Sequence, residues 1–312
     1  MSRIQPASSE TMALRDYYFI RLRLAAKNFG DFLTKLARNP AGVLGLLILV
    51  FFVFLSIAGP SLAPHDPMSI NLLERLRPPM WMEGGSAEYI LGTDQMGMDL
   101  FSRIIAGTRI SLMIGVLTVG ISILIGAALG MLAGFYRGAL DSILSRFADL
   151  LLSFPWLIFA IFTMAVIGPG FYNLVFALTF KGWVGFFRLV RGEVLSEKTK
   201  EYVEAARALG QNNFTIMLRE ITPNILNSII VFGTLRMGFM IIMEASLSFL
   251  GLGIQYPEPA WGSMVNIGRD YMLSAWWIST FSGIAILIMV LAINMLGEAL
   301  RDILDPRLRR IE

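Results

Sequence analysis

Cysteine is absent from the 312-residue chain, which excludes disulfides, thiolate zinc sites, iron–sulfur clusters and cysteine nucleophiles together. Histidine occurs once, as His65 in the run Pro64-His65-Asp66-Pro67. An imidazole-based zinc or haem site would need partners the chain lacks, so His65 is given a structural or solvated role, and no metal or cofactor is expected. The pattern Gly-x-x-x-x-Gly-Lys-Ser/Thr is also missing, so the chain has no common phosphate cradle and is not expected to hydrolyse nucleotide itself. Charge is scarce: 16% of residues are charged against 55% hydrophobic, with a mean hydropathy of +0.65. One soluble core of this length would not bury so much apolar surface, and the excess calls for a lipid-facing home. No small-residue cleavage pattern follows the first long apolar run, so that run reads as a permanent span rather than a removable signal.

Six apolar segments are present, at roughly 43–62, 109–134, 144–168, 170–190, 224–250 and 275–298, each near the ~20 residues that cross ~30 Å of hydrocarbon. The fourth is interrupted by Lys181 and Gly182-Trp183. The expected class is an all-α membrane protein with six transmembrane helices. Ahead of them, Tyr18, Leu22, Ala25, Phe29, Phe32 and Leu36 recur at three or four residues among several Lys and Arg between Thr11 and Arg38. That division predicts an amphipathic helix along an anionic membrane surface, or one packed on a partner. The chain therefore divides into an N-terminal segment 1–40, the first span with its long loop 41–108, a transmembrane core 109–300 containing a polar loop at 191–223, and a tail 301–312.

Basic residues are unevenly placed. Those in the N-terminal segment, in the polar loop 191–223 and in the C-terminal tail fall on one side, whereas only Arg75, Arg77, Arg103 and Arg269 fall in the other side's loops. This places both termini in the cytoplasm, which needs an even number of crossings and agrees with six. Lys181, Arg236 and Glu244 lie within spans, at a cost of ~2.5–3.5 kcal/mol each near the centre. They are candidates to line a translocation pathway, or else pair with a neighbouring subunit. Trp156, Trp183, Trp276 and Trp277 lie near span borders and read as interfacial anchors. The loop 251–274, with Tyr256-Pro257-Glu258-Pro259-Ala260-Trp261-Gly262, forbids a continuous helix and reads as re-entrant or surface-lying.

Within the polar loop, Glu204-Ala205-Ala206 is followed after three residues by Gly210 and, further on, by Pro223. Small residues there let another protein approach the backbone closely, and Gly210 allows the chain to turn. This stretch resembles the EAA loop of binding-protein-dependent ABC importer permeases, although Glu220 and Thr222 stand where the pattern prefers Ile and Leu. Leu91-Gly92-Thr93-Asp94-Gln95-Met96-Gly97-Met98-Asp99 with Ser102-Arg103, then Pro257–Gly262 and Leu300–Arg307, are similar to the dipeptide/oligopeptide branch, in its C-type subunit. Met98 replaces that branch's usual Arg.

The resemblance implies a type I importer permease fold with a cytoplasmic coupling helix, in which Glu204, Ala205, Ala206, Gly210 and Pro223 receive the motor. It further implies a second related permease subunit, two cytoplasmic ATP-binding subunits, an extracytoplasmic solute-binding protein and a peptide cargo, in a bacterial or archaeal plasma (inner) membrane, with no nucleic acid involved. The chain itself would not be an enzyme. Cargo is left open among dipeptides, longer peptides, glutathione-like compounds, opines and metal chelates.

Two readings from other classes compete. An ion-coupled secondary carrier would want intramembrane acids, of which Glu244 is the single one deep in a span, with Asp149 nearer a border. An intramembrane serine protease would want a partner for Ser282, yet His65 is in a loop and Thr280-Phe281-Ser282-Gly283 lacks the leading glycine of such sites.

Overall fold

In the computed structural model of the chain, residues 30–304 are described, and helix dominates them. Most of the expected surface helix Thr11–Arg38, and the tail from 305 onward, lie outside the described residues. The described end of the former, α1 (residues 30–37), is helical, and its Leu36 is buried against Leu296, Ala299 and Ile303.

Local signals set the starts of the first two long helices. Asn39 accepts the Gly42 N–H at 2.9 Å and Pro40 needs no partner at the first position, so α2 (Pro40–Leu62) begins there. Asp99 accepts the Ser102 N–H at 2.9 Å and opens α3 (Leu100–Tyr136). The preceding loop therefore ends at Asp99 rather than at 108, because Arg103 is buried in the fold instead of marking a solvated border. The loop carries one 3-10 turn, Leu72–Glu74.

The third expected span, 144–168, is not one continuous helix. It is a pair, α4 (Gly138–Ser153) and α5 (Trp156–Ile167), bent by 92°. Pro155 supplies no N–H and drives Phe154 into an extended conformation (φ −84°, ψ 137°), which ends α4. The pair starts beside the end of α3, and the Gly170 N–H beyond it donates to Gly253 near the far end of the bundle, so together the two pieces run from one end of the bundle to the other. Conversely, Lys181 and Gly182 do not interrupt the fourth span: α6 runs unbroken from Phe171 to Glu197. Then come α7 (Glu201–Ala208), a short α8 (Asn213–Thr215), a π-helical turn (Ile216–Ile221) and α9 (Thr222–Phe249), with Pro223 in its first turn. The short α10 (Trp261–Arg269) buries Trp261 completely, so this segment is packed into the bundle rather than lying on its surface. Closing the fold is α11 (Trp277–Leu304).

Among the described residues, five helices are long and apolar enough to cross a membrane, or six spans if the bent α4–α5 pair is counted as one. Their tightest contact is between α3 and α6. Gly126, Gly130 and Gly134 lie on one face of α3, spaced by four, and a Cβ on Gly130 would stand 2.6 Å from the Phe187 carbonyl oxygen, one on Gly134 2.9 Å from that of Arg191. Hydrogen in place of a side chain lets the two backbones touch, which is how helices associate where lipid removes the hydrophobic drive between them. Two of the four expected anchors are not at an interface with lipid: Trp183 is packed between Phe147 and Phe187, and Trp277 is buried with its indole N–H donating to the Thr93 carbonyl at 3.1 Å. Their rings fill core space, a use that sequence position near a span border does not reveal.

Candidate functional site

The bundle has two ends. One carries α7, the other the loop 63–99 and α10. At the first, Val203 and Ala206 of α7 face a cluster with Ile216, Met217, Ile221 and Ile225. The opposite face presents Glu204, Ala205 and Ala208 outward. α7 ends in a Schellman arrangement: the Gly210 N–H donates to Arg207 at 2.9 Å and the Gln211 N–H to Ala206 at 3.1 Å. Gly210 has φ +79°, a left-handed conformation that glycine adopts at little cost. Just beyond, Leu209 is 82% exposed and Phe214 67%. Small residues flanked by bare apolar ones form a knob at the tip of the molecule.

This knob is bolted to three long helices. Lys198 donates to the last carbonyls of α3, those of Gly134 and Phe135, at 2.9 and 3.2 Å. The Arg207 guanidinium stands 5.4 Å over the Phe135 ring. Tyr202 donates to Glu197 at the end of α6 at 2.7 Å and accepts from Asn224 at the start of α9 at 3.3 Å. Burial, and then the Glu197 carboxylate, push the Tyr202 phenol up to about 12. Pro223 is exposed in the first turn of α9, where it limits the knob rather than forming its surface.

The three charges within spans are not brought together. Lys181 is buried and donates to the Phe154 carbonyl, with the Phe159 ring 5.6 Å from its ammonium, so it satisfies an acceptor freed by the α4–α5 break. Glu244 is fully buried, with Ser248 donating at 2.8 Å and Ser111 at 3.4 Å. Arg236 is part-exposed, its guanidinium 4.9 Å from the Phe232 ring and 5.4 Å from that of Phe239.

The other end holds a cluster around Arg103. Its Nε lies 3.5 Å from Asp94 Oδ2, and its Nη1 donates to the carbonyls of Pro67 at 2.8 Å and Pro257 at 3.1 Å. The guanidinium also stands 5.3 Å over the Tyr256 ring. Asp94 Oδ1 in turn accepts the N–H groups of Met96 and Met98 at 2.9 and 3.0 Å. Burial raises the Asp94 carboxyl, with the Arg103 charge opposing it. Burial and the nearby Asp94 push the Tyr256 phenol up to about 12. Loop 63–99, the start of α3 and the loop before α10 are thereby tied together.

Residues 126–310 match the family described as the binding-protein-dependent transport system inner membrane component. Residues 28–79 match the N-terminal TM domain of oligopeptide transport permease C. The chain belongs to this family of inner-membrane transport components. It is 40% identical to the di/tripeptide transport system permease protein DppC of Pseudomonas aeruginosa, over 89% of this chain and 92% of that one. It is 41% identical to the glutathione transport system permease protein GsiD of Pectobacterium atrosepticum, over 89% and 91%, and 42% identical to the dipeptide transport system permease protein DppC of Bacillus subtilis, over 88% and 85%. Among solved structures, the inward-facing MetNI methionine ABC transporter matches 65% of this chain and 97% of that one, with a TM-score of 0.54 at 18% identity. An amino acid ABC transporter crystallised with histidines matches 67% and 94%, with a TM-score of 0.50 at 17% identity. Those two likenesses show the fold: an all-α, multi-pass membrane subunit.

For this transport component, sequence reasoning misses the Arg103 cluster as a structural node. Sequence position puts Arg103 among the loop cations, yet it is 1% exposed. Its signal is the spacing of Asp94, Met98 and Arg103 within one glycine-punctuated motif. Met98, in place of the branch's usual Arg, is itself fully buried and lies 2.7 Å from the Arg103 guanidinium through its sulfur.

Proposed function

We propose that this inner-membrane component is one of two related permease subunits of an ATP-driven importer of peptides, powered through the α7 knob by two separate cytoplasmic ATP-binding subunits. An extracytoplasmic solute-binding protein delivers the cargo at the opposite end. Both termini and the knob are cytoplasmic, and loop 63–99 is outside. The single observation that carries the reading is the knob itself: small and apolar residues left bare at the tip, yet tied to the ends of α3, α6 and α9. A push on Glu204, Ala205, Ala206 and Gly210 reaches three spans through Lys198, Tyr202 and Arg207, and Pro223 starts the span that follows. Rigid helices then carry the displacement to the outer end, as a two-state element biased by nucleotide bound elsewhere requires. Peptide as cargo is supported by the names of the DppC relatives. The lack of a phosphate cradle supports a motor on other chains. Of the three intramembrane charges, Arg236 keeps open surface and is the one assigned to the pathway; Lys181 and Glu244 are engaged inside the subunit.

The cysteine-free chain permits a direct test by single-cysteine labelling with a membrane-impermeant thiol reagent. Leu73→Cys is expected to label in intact cells, and Thr199→Cys only after permeabilisation; the reverse pattern overturns the orientation. Uptake of dipeptide must also stop when ATP is depleted under a maintained proton gradient. Continued uptake would favour the ion-coupled carrier.

A further inference from the structure

Arg236 stands at the middle of the 28-residue α9, about 20 Å from either end at ~1.5 Å per residue. At that depth in a ~30 Å hydrocarbon core, lipid phosphate is out of reach. The rings of Phe232 and Phe239 take the faces of its guanidinium. Among the described residues it makes no ion pair or hydrogen bond. Cation–π contact uses the flat face of the group, while its N–H donors point outward from the edge. The side chain is part-exposed and its Nη2 lies beside Gly185 of α6, so its donors stand unmatched at a depth where only water, protein or cargo supplies acceptors.

Further along α9, an apolar cavity of about 370 Å³ is lined by Leu157, Ile242, Phe249, Leu250 and Val265. Ile242 lies about 9 Å from Arg236 along the helix axis but about a third of a turn around it at ~3.6 residues per turn, so the cavity opens on a different face of α9 from Arg236.

We propose that Arg236 binds the terminal carboxylate of the peptide in transit. The inference rests on the peptide reading above and deepens it. A planar guanidinium suits a carboxylate because two parallel N–H groups meet two oxygens.

The test uses the assembled transporter in vesicles, with alanyl-phenylalanine and its C-terminal amide as probes, each supplied at a concentration that saturates the binding protein. Since the binding protein is the same throughout, a change in discrimination between the probes belongs to the permease. Arg236→Gln is expected to lower the transport rate of the free acid by roughly ten- to a hundred-fold, the scale of a charge-assisted hydrogen bond, and to leave the amide unchanged. Arg236→Lys should restore part of the loss. Basal ATPase activity of each variant reports that the complex has assembled. Equal losses for acid and amide overturn the proposal in favour of a structural partner such as a carboxylate of the second permease, and no loss for either overturns it outright. A wild-type complex that carries neither probe instead overturns the peptide reading and this assignment with it.

Discussion

Arg103 and Asp94 form an ion pair sealed from solvent, 3.5 Å apart and 1% and 3% exposed. Burying both charges is costly, and the pair persists because Arg103 also donates to two carbonyls while Asp94 accepts two backbone N–H groups. Arg103→Met leaves an uncompensated carboxylate and two orphaned carbonyls. It is expected to destabilise the subunit by about 3–5 kcal/mol. Thermal unfolding in detergent measures this. Combining it with Asp94→Asn should cost less than the two losses added; simple additivity would show that the pair is not coupled.

The α3–α6 contact gives a sharper contrast. Gly130→Val would put a Cβ 2.6 Å from the Phe187 carbonyl oxygen and 3.0 Å from the Arg191 nitrogen, with backbone unable to yield on either side. A loss of about 3 kcal/mol or more is expected, seen as failure to recover folded subunit from membranes. Gly120, on the same helix, has nothing within 4 Å of its would-be Cβ. Gly120→Ala should change stability by less than about 1 kcal/mol, since only intrinsic helix preference is altered. Similar effects at both positions would refute backbone contact as the reason for the glycines.

Tyr202 links α6, α7 and α9, and its phenol is raised to about 12 in the fold. A group whose folded pKa is raised contributes stability that is fully present below its unfolded pKa of ~10 and is lost as pH climbs through the folded value. Wild-type subunit should therefore lose stability between pH ~10 and about 12. Tyr202→Phe removes the titrating hydroxyl, and the part of the alkaline loss that belongs to it should vanish. Partial exposure of the side chain keeps that share small. Identical alkaline profiles for the two proteins would sink the assignment.

Much of the fold is legible in the sequence because lipid imposes a simple length rule: apolar runs near 20 residues mark crossings, and five of the six are continuous helices. The remaining run carries a sign of its break in Pro155, which a count of apolar residues passes over, while the Lys181 ammonium that donates to the freed Phe154 carbonyl comes from another helix. That same lysine reads as an interruption of α6, since hydropathy counts a charge without knowing its partner. The α7 region is legible for a different reason: Glu204-Ala205-Ala206 and Gly210 are local signals, and Gly210 takes the positive φ that its identity permits. The Arg103 cluster is not, because it joins segments as distant in sequence as Pro67 and Pro257. Likewise Trp277 lies near a span border yet donates to Thr93, a contact no local pattern encodes.

The last prediction concerns the knob. Leu209 is 82% exposed at its tip, while Leu73, 95% exposed, stands in the loop at the opposite end. Both are bare leucines, so a change to Asp at either should leave folding nearly unaffected; neither is packed in a core. They differ in what should meet them. If the ATP-binding subunits grip α7, Leu209 loses its water contact on assembly, and an aspartate there would be buried without a partner. A buried apolar anchor is worth about 2 kcal/mol or more at an interface, close to a thirtyfold change in affinity. Leu209→Asp is therefore expected to weaken retention of the ATP-binding subunits by about that factor and to abolish stimulation of ATP hydrolysis by loaded binding protein. Leu73→Asp should leave retention unchanged. Pull-down of the ATP-binding subunits from vesicles, followed by titration, measures both. Equal retention in the two variants would remove α7 from the docking surface, and with it the route by which the motor reaches α3, α6 and α9.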